Sequence, residues 1–167
     1  PQRPACFPHT ALVRCILAWE PVGAYGDNPA AGNRQRVRDA MLYLVGIRWQ
    51  YLHGVPTTER VAQETWTLDA LLLERPSNTA IQLDLTLDYA NNLTRYPDFQ
   101  AFFRQAQVPT LVIWGEHDPF FIPPGAQAWK RDNPNAVVEF LDTGHFAPET
   151  HVGHIAKRIR QVIGGEA

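Results

Sequence analysis

Two short stretches late in the chain carry residue types that can move a proton. WGEHDPF, residues 114–120, contains Asp118, and FLDTGHFAPETH, residues 140–151, contains His145. A carboxylate hydrogen-bonded to one imidazole nitrogen fixes the ring's tautomer and stabilises its cationic form, which leaves the other nitrogen as a general base. Pro119 biases Asp118 toward an extended backbone, and Gly144 lets the chain turn sharply beside His145. The same region offers a second chemistry. His151 and His154 stand three residues apart, and with His145 or Glu149 they form a candidate metal-ligand set. Taken singly, each residue has a plainer reading: Asp118 as a turn acid before proline, His145 as a loop histidine, His151 and His154 as helix-surface histidines. Glu149 then serves the positive N-terminal end of a helix, and Glu116 and His117 are exposed turn residues.

A proton relay needs Asp118 and His145 side by side, so the elements before them decide the question. VPTLVIWG, residues 108–115, is an unbroken apolar run rich in β-branched residues and ended by glycine, the pattern of a strand buried on both faces. AVVEFLD, residues 136–142, is a second strand of the same type, and PPGAQAWKRD between them reads as a helix with proline in its first turn. Val152, Ile155, Ala156, Ile159, Val162 and Ile163 then form an apolar helical stripe. Strand, helix, strand, helix is a parallel crossover with a closing helix, and adjacent parallel strands bring their C-terminal loops together. Two strands alone do not make a stable sheet, so residues 108–167 are expected to be the edge of a larger one. An uncovered strand at 110–114 also predicts self-association.

Upstream the pattern is helical. Arg38, Met41, Leu42, Val45 and Trp49 recur at helical spacing, as do Leu68, Leu71 and Leu72. Residues 81–89, IQLDLTLDY, alternate like a strand. The set Ile81, Leu85, Tyr89 and Leu93, together with a capping box at Thr79 to Gln82, favours a helix. Residues 1–32 are rich in proline, glycine and alanine and are expected to be irregular apart from a short helix at 10–19. The expected organisation is therefore an irregular segment at 1–32, a helical part at 33–107 and a βαβα part at 108–167.

Composition narrows the function classes. With 167 residues, 45% hydrophobic and 19% charged, the chain suits one soluble globular domain. A net charge of −2 leaves no electrostatic footprint for nucleic acid, and Lys157, Arg158 and Arg160 read as a solvated helix face. Cys6 and Cys15 are too few for a disulfide scaffold and lack zinc spacing, which predicts a reducing, cytoplasmic setting. The apolar run at 11–19 is too short to span a membrane and is interrupted by Arg14. No signal peptide is evident. A first residue of Pro1 predicts a processed, trimmed or fragmentary product.

The stretch VPTLVIWGEHDPFFIPPGAQAWKRDNPNAVVEFLDTGHFAPETH resembles the C-terminal part of an α/β-hydrolase. Gly115 and Asp118 match the family's G-x-x-D turn bearing the triad acid, and Gly144, His145 and Phe146 match its G-H-[FW] turn bearing the histidine. WEPVGAY, RWQYLHGVP, WTLDALLLERP and LDYANNLTRYPDFQAFFR resemble the helical cap and reconnecting segment of the cap-bearing members, the group with epoxide hydrolases and haloalkane dehalogenases. The similarity runs from about Trp19 to Ile163, and residues 1–18 resemble nothing in the family. No G-x-S-x-G nucleophile elbow occurs in the chain, nor a strand-to-helix turn presenting an aspartate in its place.

The resemblance implies a hydrolase of small, rather apolar esters, epoxides or haloalkanes that needs no cofactor. His145 is the implied base and Asp118 its orienting acid, with the nucleophile supplied by an N-terminal half not encoded in these residues. Phe120, Trp66 and Tyr51 are candidate walls of the substrate cavity, with Trp49, His53, Tyr89 and Phe121 as further aromatic neighbours. A non-catalytic remnant that pairs with another chain is the alternative, and a metal-binding module of His145, His151 and His154 is the third reading.

Overall fold

The computed structural model describes residues 20–164. The helix expected at 10–19, Cys6 and Cys15 lie outside the described residues. From Glu20 to Ala106 the chain is helical: α1 (Glu20–Asp27), α2 (Ala31–Met41), α3 (Leu44–Leu52), α4 (Gln63–Leu73), α5 (Asn78–Asp88) and α6 (Tyr96–Ala106), with 3-10 segments at Thr58–Arg60 and Tyr89–Thr94. Helix α1 corrects the expectation of an irregular stretch through residue 32. Its glycines hide the helix in the sequence, but Val22 and Tyr25, one turn apart, bury against Val37 and Leu83.

Residues 81–89 are helical rather than extended, although a different face is buried. Leu83, with Leu87 one turn on, packs toward α1 and α2, whereas Ile81 and Leu85 are exposed. The alternating leucines put apolar side chains on two faces of α5, so tertiary packing chose between them. The expected capping box is absent. Ser77, at φ 68°, precedes α5 without a side-chain cap. Thr79 Oγ1 donates to the Leu73 carbonyl at 3.1 Å, and Asn78 Nδ2 to that of Leu72 at 2.7 Å. The tight turn between α4 and α5 places the orphan carbonyls of α4 nearer these side chains than the amides of α5. A second core joins α3 and α4 through Ile47, Tyr51, Val61, Trp66 and Ala70.

Beyond α6 come β1 (Leu111–Gly115), α7 (Pro123–Gln127), α8 (Trp129–Asp132), β2 (Val137–Leu141) and α9 (Ala147–Gly164). The single helix expected over 123–132 is thus two short ones. The strands pair in parallel, Leu111 opposite Val137 through Gly115 opposite Leu141, as the only sheet among the described residues. Full burial of both strands is not realised. Val112 and Leu141 are buried, but Val137 is 38% exposed and Phe140 36%. On α9, Val152 and Ile163 of the expected stripe are 66% and 82% exposed. A two-stranded sheet offers α9 too little surface to cover, which leaves a groove of about 270 Å³ between Leu111, Ile113, Ile159, Val162 and Ile163.

The base of this sheet is tied to α6 by Asp132, whose carboxylate is buried. Arg131 Nη2 and Arg104 Nη1 each donate to it at 2.7 Å. Burial pushes the Asp132 carboxyl up, but the hydrogen bonds from Arg131 and Arg104 outweigh it and hold the group below its ordinary value. A depressed folded-state value means stability that is present above the unfolded aspartate's pKa of about 3.9 and lost as pH falls through the lower folded one. Urea unfolding should therefore show Asp132→Asn less stable than wild type at about pH 6, with the gap shrinking below about pH 4. A gap independent of pH would mean that the pair is not what holds α6 there.

Candidate active site

Parallel pairing carries on past the strand ends. Glu116 N donates to Leu141 O at 2.9 Å and His117 N to Thr143 O at 3.0 Å, so the two loops leave the sheet side by side. Asp118 and His145 meet as a result: His145 Nδ1–H donates to Asp118 Oδ2 at 2.9 Å. The other carboxylate oxygen accepts from the backbone of Phe120 at 2.8 Å and of Phe121 at 3.0 Å. Asp118 is only 7% exposed, so these three donors replace the water that burial removes. They also aim the carboxylate, because two bonds come from its own turn and cannot swing away. Nδ1 is committed to Asp118, which leaves Nε2 as the nitrogen that can accept a proton.

Three aromatic rings pack against the imidazole, whose side chain remains 23% exposed. Phe120 presents its edge at 4.9 Å between centroids, Phe121 stacks at 5.5 Å, and Phe146 stands edge-on at 4.8 Å. Trp114 Nε1 donates to the Phe121 carbonyl and anchors that wall to β1. Phe120, expected near Asp118, thus lies against the pair. Tyr51 and Trp66 do not border the imidazole: both sit in the α3–α4 core, where their rings are 6.2 Å apart and the Tyr51 hydroxyl donates to Asp69. Packing explains the shift, since large aromatics at helical spacing bury more surface in a helix–helix seam than on a cavity wall. Trp49 is closer, its ring 5.7 Å from Phe120 and 4.5 Å from His53. Tyr89 shares a hydroxyl hydrogen bond with Tyr96 at 3.1 Å.

The other histidines are engaged separately. His154 Nε2–H donates to Glu139 Oε2 on β2 at 3.1 Å, and His151 Nδ1 bonds Thr150 at 2.8 Å. His117 Nε2–H donates to Asp142 Oδ1 at 2.8 Å. Among the described residues, no three His, Cys, Asp or Glu side chains converge as a metal site. Glu149 lies in the first turn of α9, as expected.

Two contributors escaped the sequence reading. Thr143, fully buried, shares a hydrogen bond with Thr150 at 2.9 Å and so fastens the His145 loop to the start of α9. The turn after α3 presses on the same loop. A Cβ built on Gly144 would stand 2.0 Å from the His53 carbonyl oxygen. Only the glycine between Thr143 and His145 hinted at such an approach.

Among the described residues no helix is long and apolar enough to cross a membrane. Residues 30–152 match the alpha/beta hydrolase fold family. An uncharacterized hydrolase of Saccharomyces cerevisiae is 48% identical over 110 residues, which cover 66% of this chain and 38% of the yeast protein. The chain thus spans less than half the length of that relative. No solved structure matches it. A family match across most of the chain, over a crossover whose strand-end loops carry the acid and the histidine together, means that the chain belongs to the α/β-hydrolase fold family.

Proposed function

We propose that residues 33–107 are the cap and reconnecting helix of a capped α/β-hydrolase, and that residues 108–167 carry the acid–base half of its active site. The observation that supports this most is the 2.9 Å bond from His145 to a buried Asp118 that is itself fixed by two backbone amides. His145 Nε2 is the base and Asp118 holds the tautomer and stabilises the imidazolium. A serine nucleophile would lose its proton to Nε2 as it attacks an ester. With a carboxylate nucleophile, a covalent ester forms first and Nε2 takes a proton from the water that hydrolyses it. The ring wall of Phe120, Phe121 and Phe146 suits a small, apolar ester, epoxide or haloalkane.

The nucleophile lies outside this sequence, which has no elbow motif. The exposed apolar side chains of β2 and α9 are the surface on which the nucleophile-bearing part would pack. The 167-residue chain should therefore turn over no p-nitrophenyl ester, epoxide or haloalkane by itself. Fused to, or co-expressed with, the N-terminal half of a close capped hydrolase, it should hydrolyse at least one of them. Turnover by the chain alone that disappears in His145→Ala would sink the assignment, because another group would then be the nucleophile. A well-folded complemented protein with no activity on any of the three classes would count in favour of a non-catalytic remnant.

A further inference from the structure

The C-terminal end of α3 reaches both strand-end loops. The Tyr51 ring lies flat on Phe146, with centroids 4.0 Å apart and 11° between the planes. Phe146 directly follows His145 and stands against its imidazole. The Tyr51 hydroxyl donates to Asp69 Oδ2 at 2.6 Å, which ties the ring to α4. Two residues farther on, the His53 carbonyl abuts Gly144, the residue before His145. Gly54 takes φ 74° and passes so close to His117, the residue before Asp118, that a Cβ there would stand 2.5 Å from the His117 carbonyl oxygen. One turn therefore grips both neighbours of His145 and one neighbour of Asp118.

We propose that Tyr51 is a positioning residue for His145, acting through Phe146, so that the α3 end clamps the acid–base pair. The inference rests on the reading of Asp118 and His145 as that pair. The Tyr51 ring covers one face of Phe146, and the bond to Asp69 holds Tyr51 to α4, so that moving Phe146 breaks the stack. Burial, then the hydrogen bond to Asp69, pushes the Tyr51 phenol far above its ordinary value, so the donor persists wherever the imidazole is a base. The other members of this core, Ile47, Val61, Trp66 and Ala70, stabilise the two helices. Tyr51 adds a direct path to the loop.

The test needs no turnover. In the 167-residue chain with isotopically labelled histidine, the Nδ1 proton shared with Asp118 is read by NMR as a low-field signal, assigned by its loss in Asp118→Asn and His145→Gln. Its exchange with water reports how often the pair opens. Tyr51→Leu should speed that exchange about five- to tenfold, the fold-change corresponding to one stacked pair. Tyr51→Phe, which keeps the ring, should give a smaller rise. Val37→Ala weakens the other core, which contains neither ring of the stack, and should leave the rate unchanged at equal global stability. Exchange in Tyr51→Leu no faster than in Val37→Ala overturns the clamp. If Tyr51→Leu does not fold, Phe146→Leu removes the stack from the other side and must show the same acceleration. A wild-type chain without any signal removed by Asp118→Asn overturns the pair itself, and the clamp with it. A signal that is present but indifferent to Tyr51 removes the clamp alone.

Discussion

In the complemented hydrolase, Asp118→Asn is expected to lower kcat by three to four orders of magnitude, on the order of 10⁴ at most. The size follows from what the carboxylate does. Oδ2 accepts from His145 Nδ1, and Oδ1 is held by the Phe120 and Phe121 amides. An asparagine fits the same space, yet it can turn its NH2 toward the imidazole and stabilise the tautomer with the proton on Nε2. The nitrogen that should accept a proton then already carries one. His145→Ala should remove nearly all activity, whereas His151→Ala should change it little, because His151 is bonded to Thr150. Kinetics on the three variants decide the matter. A His151→Ala loss equal to that of His145→Ala would replace the relay with a metal site.

The pair was legible because it depends on local signals that parallel pairing converts into proximity. An unbroken apolar run announces β1 and one interrupted only by Glu139 announces β2, and a short crossover leaves them adjacent, so the loops of Asp118 and His145 meet. What failed to show in the sequence depends on which of several acceptable partners is nearest. Ile81, Leu83, Leu85 and Leu87 are all apolar, and only the position of α1 and α2 selects Leu83 and Leu87 for burial. Thr79 looks like a cap until the turn from α4 brings the Leu73 carbonyl within its reach. Tyr51 and Trp66 are candidates for a pocket wall, yet aromatics at helical spacing are more often core, and the α3–α4 seam holds both. Strand burial was overestimated for a different reason: apolar runs describe what a strand is suited to contact, and too few partners are present among the described residues.

Backbone approaches between distant segments leave the faintest trace, and the contact of His53 with Gly144 is the extreme case. Gly144→Ala is expected to destabilise the chain by about 3 kcal/mol, the upper end for overpacking a tight site. A built Cβ falls 2.0 Å from the His53 carbonyl oxygen, an atom of the main chain that cannot rotate aside as a side chain would. Relief requires moving either the turn after α3 or the loop carrying His145. The turn is pinned by Tyr51 on Phe146, and the loop by Thr143 on Thr150 and by Asp118 on His145. Neither can yield without breaking one of those contacts, so the same substitution should also weaken the low-field proton signal of His145. Gly153→Ala provides the contrast. Its Cβ meets nothing within 4 Å, and it lies in α9 in the first turn past the kink at His151, so alanine there should raise stability by at most about 0.5 kcal/mol. Urea unfolding of the two variants measures both signs. A Gly144→Ala chain as stable as wild type, with the His145 signal intact, would mean that the helical part rides loosely on the strand-end loops and does not brace them.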